Sequence, residues 1–161
     1  MNYTQIMNYN ASEKIQQSLV KTRQKVLNMQ DIIKTYGVMN DSIDNMLITP
    51  DTMVFIHVNF QNNRVAPKNV ENFIKAIEII KSKKSMFDKD KKYIAIYLSK
   101  DQLTNDIINA FDYENKKNST HYNVLNNTSM EVLVKQLRLL LHSYSIYFLH
   151  KDGDAHMLDS F

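Results

Sequence analysis

Three apolar runs punctuate the chain: Met53-Val-Phe-Ile-His-Val-Asn-Phe60, Tyr93-Ile-Ala-Ile-Tyr-Leu98 and Tyr144-Ser-Ile-Tyr-Phe-Leu149. Between them apolar residues recur three or four positions apart, the pattern of helices with one buried face. The middle run lacks strict alternation, as expected of a strand covered on both sheet faces. Strands separated by helices pair in parallel through right-handed crossovers. The pattern predicts a single-domain α/β fold. It has a small mixed sheet of three to five strands and four main helices packed on it, the N-terminal one long.

That first helix is expected over residues 11–36. Ile15, Leu19, Val26, Met29, Ile33 and Tyr36 recur at spacings near 3.5 residues, Asn10 and Glu13 suit a capping box, and Gly37 stands where a left-handed C-terminal residue is expected. Residues 38–51 read as a polar connection with an apolar patch at Ile43, Met46, Leu47 and Ile48. Pro50-Asp51 opens the first strand and Asn62-Asn63 ends it with turn chemistry. Pro67 suits the first position of a helix whose apolar face is Val70, Phe73, Ile74, Ile77 and Ile80. Ser99 and Gln102 form a capping box for a helix carrying Leu103, Ile107, Ile108 and Phe111. Residues 112–127 are the most loop-like stretch, with a candidate short strand at His121-Tyr-Asn-Val-Leu125. Thr128 and Glu131 start the last helix, lined by Leu133, Val134, Leu137, Leu140 and Leu141. Asp152-Gly153 then marks a turn. The expected organisation is an N-terminal extension (1–10), one α/β domain (11–151) and a C-terminal tail (152–161).

Composition narrows the function classes. The 161 residues suit one domain, and their net charge of +3 permits an acidic partner without demanding one. No Cys is present, which excludes disulfides and thiolate chemistry. Two Gly and two Pro argue against a Gly-rich phosphate loop and against turn-dense all-β folds. No apolar stretch approaches the ~18 residues of a membrane span. The first ten residues have neither the basic nor the apolar region of a secretion signal. An intracellular protein without membrane contact is expected, with cytoplasm and nucleus not distinguished. The abundance of Asn, Lys and Ile is the codon signature of an AT-rich genome, as in many microbes and large DNA viruses.

Candidate chemistry is sparse. The histidines (His57, His121, His142, His150, His156) show no metal-ligand spacing, and the pair around Asp152 and Asp154 reads as a polar turn. A restriction-type nuclease needs an Asp near one strand end and a Glu-x-Lys on the next strand to hold a divalent cation. Asp51, Glu71 and Glu78 flank the first strand and its helix, but the second strand carries no carboxylate. No nucleophile elbow, Walker loop or dinucleotide fingerprint is present, so no catalytic residue, metal ligand, cofactor or small-molecule substrate is assigned. The main charge cluster is Lys81, Lys83, Lys84, Lys89, Lys91 and Lys92, diluted by Asp88 and Asp90. Of these Lys81, Lys83, Lys84, Lys91 and Lys92 are the candidate contacts to nucleic-acid phosphates, against the plainer reading of a solvated loop. Leu19, Val26, Met29 and Ile33 on the first helix are the candidate protein interface, although packing on the parent domain is the plainer reading of such a stripe.

A further signal lies in segment order. Lys21-Thr-Arg-Gln-Lys-Val-Leu-Asn-Met29 leads to Tyr36-Gly-Val38, followed by Met53-Val-Phe-Ile56, Val65-Ala-Pro-Lys68, Tyr93-Ile-Ala-Ile-Tyr97 and the stretch from Leu103 to Phe111. This order resembles the N-terminal jaw domain of the smallest jaw subunit shared by the nuclear RNA polymerases, which large DNA viruses also encode. The resemblance covers about residues 21–111. It rests on short apolar motifs, and nothing here resembles the family's C-terminal assembly domain. It implies a fold related to restriction enzymes without their active site. The function it implies is a non-catalytic subunit or accessory protein of a multi-subunit transcription machine, acting through protein contacts and loose contact with downstream duplex DNA. Two alternatives stand beside it: a small viral or microbial interaction module pairing through its first helix, and a divergent metal-dependent nuclease.

Overall fold

The computed structural model describes residues 3–60, 67–83, 91–117, 119–126 and 129–149. These form one five-stranded mixed sheet with five helices. The continuous helix expected over residues 11–36 is instead divided into α1 (Tyr3–Val20), β1 (Lys25–Asn28) and α2 (Met29–Tyr36). The reason is local. The Thr22 hydroxyl donates to the Leu19 carbonyl at 2.7 Å, and Arg23 takes the left-handed region at φ 58°. Adjacent Val26 and Leu27 then serve opposite sheet faces, as neighbours in a strand do. Asn28 starts α2 by accepting the Asp31 N–H at 2.9 Å, while the Asp31 carboxylate accepts the Asn28 N–H at 3.3 Å. Gly37 ends α2 as expected, at φ 69° with its N–H on the Ile33 carbonyl.

The apolar patch after α2 is β2 (Asn45–Ile48) rather than part of a connection. A tight turn leads into β3 (Thr52–Asn59), followed by α3 (Pro67–Ser82), β4 (Lys92–Ser99), α4 (Asn105–Lys117), β5 (Thr120–Leu125) and α5 (Met130–Ser143). The strand order is β1-β2-β3-β4-β5. The first two pairings are antiparallel and the last two parallel. Both crossovers step the same way along the sheet, so crossovers of one hand place α3 and α4 on one face. There they pack with α2 over Phe55, Tyr93, Ala95 and Tyr97. On the other face α1 and α5 pack over Val54, Ile56, Ile94 and Ile96. Burial on both faces explains why β3 and β4 read as continuous apolar runs.

Four further expectations are corrected. The run Tyr144–Leu149 is not a sheet strand. Ile146 and Phe148 point into the α1/α5 core, and the Leu149 N–H donates to the Lys21 carbonyl at 2.8 Å, so the run is a strap across the end of α1. Residues 112–127 are not mainly loop, because α4 continues to Lys117, and the candidate strand at His121–Leu125 is present as β5. Ser99 ends β4 instead of capping a helix, and α4 begins at Asn105. For α5 the cap is Ser129, whose side chain accepts the Val132 N–H, one residue beyond the expected Thr128, which lies outside the described residues. The expected 152–161 tail lies outside them too.

Candidate functional site

Ligands of open parallel sheets gather at the carboxyl ends of the strands. At that end of β3 and β4 the face under α3 carries polar side chains. Asp44 immediately precedes β2, two residues before the core residue Met46, and so points to the same face. Its N–H donates to the Ile56 carbonyl, and antiparallel pairing sets it beside His57. His57 in turn pairs with Tyr97 across the parallel β3–β4 ladder. Asp44, His57 and Tyr97 therefore form one row across three strands. The Asp44 Oδ2 lies 3.2 Å from the His57 Nδ1, and the His57 and Tyr97 rings are 4.8 Å apart. Phe73 of α3 covers both rings, each at 5.7 Å. One step along, the Asn59 side-chain amide donates to the Tyr97 hydroxyl at 3.4 Å.

Burial governs the electrostatics of this row. Removal from water lifts the Asp44 carboxyl to about 7, against the lowering effect of the Val58 N–H, which donates to it at 2.7 Å; nearby Asp41 adds to the rise. The same desolvation pulls the His57 imidazole down to about 4, against a hydrogen bond with the backbone of Ser42. Between about pH 4 and 7 the pair is thus a neutral acid beside a neutral imidazole, and is not an ion pair. Burial also pushes the Tyr97 phenol up to about 12, so it stays protonated. Among the described residues the His57 Nδ1 and the Asn59 Oδ1 are buried without a well-aligned partner. The row keeps a proton on Asp44 up to about pH 7. It offers no exposed nucleophile, and no group of three His, Asp or Glu among the described residues is placed to hold a metal.

The sequence-derived lysines are mostly engaged with the fold. The Lys81 ammonium donates to the Thr120 hydroxyl at 2.8 Å, lies 3.7 Å from Glu78 and stands over the Tyr93 ring at 5.1 Å; its side chain is only 14% exposed. Lys83 donates to the carbonyl of Tyr36 at the end of α2, and Lys91 to that of Thr49 at 3.1 Å. Lys92 is exposed at the start of β4, and Lys84 lies outside the described residues. Of the proposed interface residues, Leu19 is fully buried under α5 and Val26 packs against the same core. Met29 and Ile33 are half-buried on α2. The carboxylates flanking β3 are dispersed. Asp51 is held by the hydroxyls of Thr49 and Thr52, which lower its pKa, while Glu71 is lowered by Lys75 at 2.9 Å. His121 and His142 lie against Tyr144 and Tyr147, whereas His150 and His156 are outside the described residues.

Sequence reasoning missed the Asp44–His57 row. The two residues are far apart in the chain, and the β2–β3 hairpin brings them together. A titratable ring inside an otherwise apolar strand was the available signal. Elsewhere, a recess of about 180 Å³ is lined by Asn10, Ala11, Lys14, Phe60 and Met130. Among the described residues no helix is long and apolar enough to cross a membrane. No protein-family model matches this chain, and no curated protein or solved structure matches it.

Proposed function

We propose that the chain is a non-catalytic subunit or accessory protein of a multi-subunit transcription machine, working through protein contacts. The observation that carries the non-catalytic part is the state of the Asp44 row. Asp44 and His57 are both buried, at 5% and 7% exposure, so neither side chain is open to a substrate or a metal ion from solvent. The transcription part follows the segment order over about residues 21–111 and the restriction-enzyme-related fold without an active site that the order implies. Loose duplex contact is kept within the reading. Lys92 is its exposed described candidate in the 81–92 segment, because Lys81, Lys83 and Lys91 are bonded to the fold.

The test is affinity purification of the tagged full-length chain from its native source, with mass spectrometry of the retained proteins. Recovery of large RNA polymerase subunits at stoichiometric levels is expected. Recovery of a single unrelated partner, or of the chain alone, rejects the transcription reading.

A further inference from the structure

The cations of this protein are unevenly placed. No Asp or Glu occurs between Glu13 and Asp31, nor between Glu131 and Asp152. The fold sets these two acid-free segments side by side. Leu149 N–H donates to the Lys21 carbonyl, and the buried Arg138 of α5 donates to the Ser18 hydroxyl of α1 at 3.0 Å. Lys21, Arg23 and Lys25 are exposed where α1 passes into β1, and Lys135 is exposed on α5.

The same face is also apolar. Among the described residues seven large apolar side chains are exposed, and four of them belong here: Val20, Val132, Leu139 and Tyr147. Val132, Lys135, Leu139 and His142 follow one another at helical spacing along the outer side of α5. The His142 ring then meets Tyr147 at 4.8 Å, which extends the stripe onto the strap. The strap alternates, with Ile146 and Phe148 turned inward and Tyr147 outward.

We propose that this α5–strap face is a docking surface for an acidic, amphipathic segment of a partner protein. Charge complementarity selects an acidic occupant: Lys21, Arg23, Lys25 and Lys135 are exposed on the two segments, against Glu131 at the start of α5. The apolar stripe selects protein over nucleic acid. Phosphate backbones are met by polar and cationic side chains, whereas an apolar centre with a charged rim is the pattern of a protein interface. The inference gives the protein-contact role proposed above its surface. It rests on that reading only for the existence of a partner, and its test uses a synthetic probe, so its failure leaves the co-purification result standing.

The probe is a fluorescein-labelled peptide with Leu at i, i+3, i+4 and i+7 spacing and Glu elsewhere, titrated with the full chain and read by anisotropy. A random-sequence DNA duplex with the same dye is titrated in parallel. Saturable peptide binding is expected. Lys135→Glu and Leu139→Asp should each weaken it about tenfold or more while leaving the thermal melt unchanged, and Lys116→Glu on α4 should leave it intact. Absence of saturable peptide binding overturns the proposal. So does peptide binding that ignores Leu139→Asp. Tighter binding of the duplex, weakened by Lys135→Glu but not by Leu139→Asp, assigns the face to phosphates and overturns it as well.

Discussion

Asp44 and His57 shift in opposite directions, and their linkage to stability nearly cancels. Asp44 rises from 3.8 to about 7 on folding. Alone, it contributes stability that is complete below its unfolded pKa and lost as pH climbs through about 7. His57 falls from 6.5 to about 4. Alone, it contributes stability that is complete above 6.5 and lost as pH drops through about 4. Between about 4 and 6.5 the unfolded chain carries one proton on the imidazole, and the folded chain carries one on the carboxyl. Folding then moves a proton without net uptake, and the pair leaves stability indifferent to pH in that window. Breaking the pair exposes each slope. Asp44→Asn should make stability rise with pH from about 4 to 6.5, relative to the parent chain. His57→Gln should make it fall from about 3.8 to 7. Urea midpoints measured across this range read both, and groups common to all three chains cancel in the differences. Identical pH profiles for the three proteins would refute the opposed shifts of Asp44 and His57.

At the scale of single elements, caps and edges decide stability. Gly37 sits at φ 69°, and an added Cβ would meet only the Lys83 Nζ at 3.6 Å. The cost of Gly37→Ala is therefore conformational rather than steric, about 1 kcal/mol by thermal or urea unfolding. β5 is an edge strand, and Asn115 of α4 covers part of it. Its amide donates to the Tyr122 carbonyl at 3.1 Å and accepts the Tyr122 N–H at 2.6 Å. Asn115→Ala strips both bonds, and a loss of about 1–3 kcal/mol with faster amide exchange at Tyr122 is expected. On α1, Leu19→Asp should unfold the domain because Leu19 is fully buried, whereas its neighbour Val20→Asp, at 57% exposure, should stay within about 0.5 kcal/mol of the parent in urea unfolding. These elements also mark what could be read from sequence. β3, β4 and α3 were legible because burial on both sheet faces, or on one helix stripe, writes itself into residue type. The break at Lys21–Gln24 was hidden because Leu19 and Val26 keep a helical spacing across it, and the capping pair Asn28 and Asp31 was the overlooked sign. β5 was legible as the candidate strand His121–Leu125, although only Thr120 and Tyr122 of its residues are buried and the stretch around it reads as loop. The Asp44 row was illegible for a different reason: it exists only once β2 and β3 pair.

Seen as a whole, the domain is two apolar cores on either side of one sheet. The first gathers α2, α3 and α4, and is rich in aromatic rings: Phe73, Tyr97, Phe111 and Tyr122 meet at centroid distances of 5.6–6.5 Å. The second gathers α1, α5 and the strap, and is mainly aliphatic, with Phe148 beneath Arg138 at 5.0 Å. Side chains of successive strand residues alternate between the two cores, so the cores communicate chiefly through the backbone of β3 and β4. Substitutions that shave one methyl group test how far that separation goes. Ile77→Val in the first core and Ile146→Val in the second should each cost about 0.5–1.5 kcal/mol. With no partner in common across the sheet, their costs in the double variant should add to within about 0.5 kcal/mol. A larger coupling energy in urea unfolding would mean that the sheet shifts as a body when either side is loosened. In that case a partner bound on the α5–strap face would be felt at the Asp44–His57 row, and ionisation of that row would be felt at the partner. Additivity instead would leave the acid–imidazole row as a feature of the first core alone, and the basic, apolar face as a surface that works without it.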